Sequence, residues 1–244
     1  MLKFLIIPRF LALALFFITV MLLSFLLLGC VEAAATYSNV NLATVRYNLT
    51  LDATDTDTKN PPTLLLGYVN ACCQTDDNIT CSSYGKLSSI VDDDTFGGDI
   101  DMLQIAQKFS STCLPYILIV TICLTLAALA VHAYSLVPIL PAKLAAKKVC
   151  MALTIFNVLF WGLGAMLQDK LVGTAVALAG TLSAYALEMT IGTRAQGMTW
   201  TAFAMMVFAA GCCGFDMFRS QKESKLRNRE KVQNQQIAQK AYWV

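Results

Sequence analysis

Charge is scarce in this sequence. Only 14% of its 244 residues are Asp, Glu, Lys or Arg, against about 25% in a soluble domain, so a soluble globular fold is excluded. Histidine is nearly missing, with one copy in the chain. No Ser/His/Asp, Cys/His or metal-binding set is visible, so the chain reads as a non-enzyme with no catalytic residue, no metal and no cofactor. No ring of acids and no run of filter carbonyls announces a pore. The net charge is only +2, and its pattern does not suggest nucleic acid.

Apolar residues are abundant. They make up 57% of the chain, and the mean hydropathy of +0.59 marks an integral membrane protein. Charge of each sign is segregated. Between Glu32 and Thr112 eleven acidic residues face four basic ones, a balance of −7. From Arg219 to Val244 seven basic residues face two acidic ones, a balance of +5. Such segregation reports which side of a bilayer a segment occupies.

Phe10–Gly29 is an uninterrupted apolar run of 20 residues behind Lys3 and Arg9. At about 1.5 Å per residue it crosses a hydrocarbon core of about 30 Å. It reads as a retained first span, with a long cleaved signal peptide ending near Ala33-Ala34-Ala35 as the alternative. The expected order is a cytoplasmic N-terminus (1–9), a first span (10–30), an extracellular loop (31–112) and a second span (113–140). A cytoplasmic loop (141–149), a third span (150–168), a second extracellular loop (169–197), a fourth span (198–218) and a basic cytoplasmic tail (219–244) complete it. Leu171–Leu187 is also apolar over 17 residues. As a fifth crossing it puts the basic tail outside, against the positive-inside bias. It is therefore placed on the outer side, as a continuation of the third helix or a partly re-entrant segment, with a stripe of Leu171, Ala175, Leu178, Leu182, Tyr185 and Met189. Ala210 and Gly214 form a small-xxx-small pair suited to close helix packing. His132 stands out as ionisable within the spans and reads as hydrogen-bonded to a neighbouring helix. The terminal Tyr242-Trp243-Val244 is of the kind that PDZ domains bind, although an untethered tail is the plainer reading.

The polar loop alternates Val45, Tyr47 and Leu49 with Arg46 and Asn48, the period of a half-buried strand. Thr63–Val69 reads as a second strand, Ile90-Val91 as a short third one, and Met102–Phe109 as a helix leading into the membrane. Asn48 and Asn78 open glycosylation sequons. Cys72, Cys73 and Cys81 lie inside the loop, whereas Cys123, Cys150, Cys212 and Cys213 fall in or beside apolar runs, where a thiol is an inert small hydrophobe. A disulfide from Cys72 to Cys81 is expected in an oxidising compartment and closes a loop worth about 2–3 kcal/mol. Neighbours on a strand point to opposite faces, so one of Cys72 and Cys73 takes Cys81 and the other is open to pair with Cys113. Asp92, Asp93, Asp94, Asp99 and Asp101 form an acidic cluster. Its spacing fails an EF-hand, because Phe96 and Leu103 take ligand positions of a loop begun at Asp92. It reads as a solvated loop, with weak attraction of calcium at an outer mouth as the alternative.

Four spans, a long sheet-bearing first outer loop, a shorter second one and both ends inside resemble the claudin superfamily plan. That superfamily carries G-L-W-x-x-C followed eight to ten residues later by C. Gly67, Cys72 and Cys81 match it in type and spacing, with Tyr68 and Val69 in place of the Leu and Trp. This relaxed form resembles the fungal claudin-like family of mating-induced calcium-influx regulators and membrane-fusion proteins. The resemblance implies a four-helix bundle with a small disulfide-bonded extracellular β-sheet. It also implies a multi-pass plasma-membrane protein at cell contacts, acting in fusion and calcium influx. The partners implied are the bilayer and either a lateral homo-oligomer or a calcium-channel partner. The other readings are a claudin- or eisosome-type adhesion or scaffold protein without transport, and a calcium-channel subunit.

Overall fold

A computed structural model describes residues 3–47, 63–75, 78–89, 102–112, 115–137, 143–182 and 187–241. Four helices within it are long and apolar enough to cross a bilayer, over Pro8–Leu27, Pro115–Leu136, Leu144–Ala179 and Thr193–Leu226. They belong to α1 (Lys3–Leu27), α4 (Pro115–Leu136), α5 (Lys143–Leu182) and α6 (Thr193–Ala241). Two short helices precede α4, namely α2 (Ala35–Ser38) and α3 (Met102–Thr112). The chain is a membrane protein built on this bundle.

The four helices meet along seams with heptad spacing. Ala12, Phe16, Thr19, Leu23 and Leu26 are the buried positions of α1, at steps of four and three. On α4 they are Leu118, Thr121, Thr125, Ala128, His132 and Ser135. On α6 Ala195, Thr199, Ala202, Met206, Ala209, Cys213 and Asp216 repeat the same steps. This is the spacing of left-handed knobs-into-holes packing. Both faces of each helix are apolar, because Phe17, Leu159, Leu163, Phe208 and Phe215 point outward. The seams differ by holding small and hydroxylated residues, which let helices approach in lipid, where apolar faces alone gain nothing from meeting. Most of their hydroxyls are satisfied locally: Thr121, Thr125, Thr154 and Thr199 each donate to the carbonyl four residues back. Asn157 Nδ2 donates to Thr125 Oγ1 at 2.8 Å and ties α5 to α4. Interhelical bonds of this kind average about 0.6 kcal/mol. Gly214 sits against Met151 of α5, so the small residue at this position serves packing.

One end of the bundle carries an antiparallel sheet of β1 (Ala43–Tyr47), β2 (Thr63–Leu66), β3 (Asn70–Gln74), β4 (Ile79–Ser83) and β5 (Leu187–Ile191), in the order β4-β3-β2-β1-β5. Alternation divides its side chains between two faces. Ala43, Val45, Leu64, Leu66, Ala71, Cys73, Leu187 and Met189 join the main core with α3 residues Ala106 and Phe109. Leu65, Cys72, Ile79 and Cys81 form a second cluster with Cys30 on the other face.

The expected elements differ from the observed ones in four places. The second strand ends at Leu66, because the chain turns at Gly67 instead of running on to Val69. The cysteine segment is a pair of hairpins, and residues 187–191, expected in an outer loop, form β5 against β1. Helix α5, by contrast, runs unbroken for 40 residues, about 60 Å, so the third helix continues through 171–182, one of the two forms expected for that stretch. The stripe expected through 171–189 breaks: Leu171 and Ala175 pack on the core, Leu178 points outward, and Met189 belongs to a strand. Ile90-Val91, Leu49 and Tyr242-Trp243-Val244 lie outside the described residues.

Candidate functional site

The stretch from Gly67 to Cys81 forms the outer hairpins of the sheet. Gly67 opens the β2–β3 turn, and its N–H donates to the Asn70 carbonyl at 2.9 Å. A Cβ at this position would stand 2.7 Å from the Gly29 carbonyl oxygen and 3.1 Å from the Cys30 Cβ. Glycine is required because the chain after α1 crosses here at backbone contact. The Tyr84 hydroxyl donates to the Gly67 carbonyl at 2.8 Å. Tyr68 is buried and its hydroxyl donates to Gln168 Oε1 of α5, anchoring the hairpin on the bundle, whereas Val69 is exposed at the tip. The signature therefore joins three segments: a glycine crossing, an aromatic anchor and a cystine.

Cys72 and Cys81 face each other across β3 and β4 and form the disulfide. Cys73 points to the bundle-side face and is a free buried thiol. Cys113, the partner considered for it, lies outside the described residues. Cys30 adopts φ 62°, rare for a side-chain-bearing residue, and its carbonyl oxygen lies 3.5 Å from Cys72 Sγ. Burial pushes the Cys30 thiol up to about 12 and also raises that of Cys73, so both stay protonated at neutral pH. Asn78 is exposed in the β3–β4 turn, and its carbonyl accepts from the Thr75 N–H and hydroxyl at 3.0 Å each. Asn48 and the acidic cluster Asp92, Asp93, Asp94, Asp99 and Asp101 lie outside the described residues.

The opposite end of the bundle holds a polar network that the sequence reading missed. Asp216 of α6 is buried and accepts from Arg9 Nε at 2.8 Å and Lys147 Nζ at 2.7 Å. Lys147 also donates to Ser220 Oγ at 2.6 Å. His132 is thus not the sole ionisable group of the spans. Its Nε2 lies 3.1 Å from the Arg9 carbonyl of α1, a bond to a neighbouring helix. Its Nδ1 faces Cys213 Sγ at 3.8 Å and Cys150 Sγ at 3.9 Å. The expectation of no Cys/His or metal-capable cluster is corrected here: the ligand atoms of His132, Cys150 and Cys213 all lie within 4.8 Å of one another. Spacing along the chain hid this group, because its members come from three helices. The signal was the shared seam position of each residue, one buried site per helix at the same depth.

Residues 49–219 match the family described as Fig1, Ca2+ regulator and membrane fusion protein. The chain is 30% identical over 166 residues to the Factor-induced gene 1 protein of Saccharomyces cerevisiae, covering 68% of this chain and 52% of that protein. It therefore spans about half the length of that relative. The family match takes in β2 to β5, the cystine hairpins, α4, α5 and the apolar part of α6. With more than half of the sequence inside that match, the chain belongs to the Fig1 family of Ca2+ regulators and membrane fusion proteins.

Proposed function

We propose that this protein acts in the plasma membrane at cell contacts, where it promotes cell–cell contact and membrane fusion during fungal mating and regulates calcium influx. The observation that carries the reading is the family match over residues 49–219, which includes both the sheet and the spans beneath it. The sheet end is the outer side and both chain ends are cytoplasmic. Support comes from the exposed sequon at Asn78, the cystine beside it, and the basic residues Arg9, Lys147 and Arg219 at the opposite end. A claudin-like fold is part of this reading, and support for it comes from the sheet, which takes four strands from the loop before α4 and the fifth from the loop before α6. Lateral self-assembly or a calcium-channel partner completes the working unit. The test is a mating mixture of cells lacking this chain, scored together for cytoplasmic mixing and calcium uptake. Both fall if the proposal holds, and normal fusion with normal uptake refutes it.

A further inference from the structure

We propose that His132, Cys150 and Cys213 bind one soft monovalent d10 metal ion, of the copper(I) class, in a three-coordinate site joining α4, α5 and α6. Three features carry this. The first is distance. With metal–sulfur bonds of about 2.3 Å and a metal–nitrogen bond of about 2.0 Å, a planar three-coordinate centre puts nitrogen about 3.7 Å from each sulfur. The observed separations are 3.8 and 3.9 Å, so the nitrogen–sulfur distances need to change little, and all three ligand atoms already lie within 4.8 Å of one another.

The second feature is the ring's tautomer. A carbonyl can only accept, so the bond from His132 Nε2 to the Arg9 carbonyl places the ring proton on Nε2. In the neutral ring Nδ1 is then unprotonated, and it lies within 3.9 Å of both sulfurs. Metal-binding histidines are held in the same way, with the far nitrogen donating to a carbonyl or carboxylate. The ring is held from a second side by Phe16, whose centroid lies 6.0 Å away.

The third feature is charge and number. Thiolates select soft ions, and structural zinc takes four ligands. Among the described residues no fourth His, Cys, Asp or Glu joins this group. Two thiolates and a monovalent ion carry −1. Asp216 follows Cys213 by one helical turn and binds both Arg9 and Lys147, a triad of +1. The site and its neighbour together are neutral, as an apolar bundle requires. On binding, two metal–sulfur bonds and one metal–nitrogen bond form, and the two thiol protons leave to buffer. No electron is transferred.

The experiment uses the full chain in lipid nanodiscs without oxygen, with copper(I) supplied from a competing chelator. One equivalent is retained, and X-ray absorption reports two sulfurs and one nitrogen. Cys150→Ser and Cys213→Ser each weaken retention by more than tenfold, as does His132→Gln, whose folding is checked by circular dichroism. Cys123→Ser and Cys212→Ser leave retention unchanged. Failure to retain copper(I), loss of it only on replacing Cys123 or Cys212, or preferential uptake of zinc(II) in a four-coordinate centre overturns the proposal.

Discussion

Replacing Asp216 by Asn tests whether the bundle end opposite the sheet is held by charge. Asp216 and Lys147 are 8% and 12% accessible, and Arg9 is 32% accessible. The change removes the one anion between two cations and leaves Lys147 nearly enclosed beside Arg9. Each attraction is about 4 kcal/mol at 4 Å with an effective dielectric of 20, before the offsetting cost of desolvation. Breaking a buried pair in proteins costs about 3–5 kcal/mol. Arg9 has room to extend toward the interface, which returns part of that. The expected loss is therefore about 3 kcal/mol. It is read by unfolding the protein with SDS in mixed micelles and following tryptophan fluorescence. Asp216→Asn combined with Lys147→Met removes one stranded cation and recovers part of the loss. Stability within about 0.5 kcal/mol of the parent for Asp216→Asn refutes the ion triad as a structural tie.

Gly192→Ala drives a Cβ into the Asn41 carbonyl beside the bond from the Gly192 N–H to Leu42, at 2.8 Å. The β5–β1 edge has to shift, at a cost of about 1–3 kcal/mol, and an unchanged Tm contradicts that contact. Asn78→Gln removes a glycan if the sheet end enters the secretory lumen, so the protein runs faster on a gel; if neither parent mobility nor variant mobility responds to deglycosylation, that end is not glycosylated at Asn78. The Cys30 thiol titrates at about 12 when folded, against an ordinary 9.0. The unfolded chain therefore loses its proton first as pH rises, and the stability Cys30 contributes is full below pH 9 and falls away toward pH 12. Cys30→Ala flattens that slope, and an equal slope in both proteins removes Cys30 as its source.

Much of this architecture is legible in the sequence. The four apolar runs stand out because a bilayer demands about 20 residues of continuous hydrophobicity. The paired hairpins were less visible, since Asn70–Gln74 and Ile79–Ser83 carry few β-branched residues and gain their register from the Cys72–Cys81 bond and the Gly67 turn. Strand β5 was hidden for another reason. Leu187–Ile191 follows an apolar helix without a polar break, and only the open edge of β1 tells it to be a strand. The buried polar groups were hardest to read. In a lipid-facing helix hydropathy is high on every side, so the informative signal is the heptad spacing of Thr121, Thr125, His132, Thr154, Asn157 and Asp216. Asp216 lies two residues before Phe218 in an apolar run, and proximity to the span end masked its burial.

Under the proposed function, the contact and fusion role falls to the sheet end, with the bundle holding it in place. The most direct measurement complements cells lacking this chain with either the parent protein or a Cys72→Ser, Cys81→Ser variant. Surface abundance is matched by biotinylation before mating partners are mixed. The parent is expected to restore cytoplasmic mixing, and the variant, with its hairpins no longer pinned, to leave it near the level of cells without the protein. Full restoration by the variant at equal surface abundance contradicts that role for the sheet end.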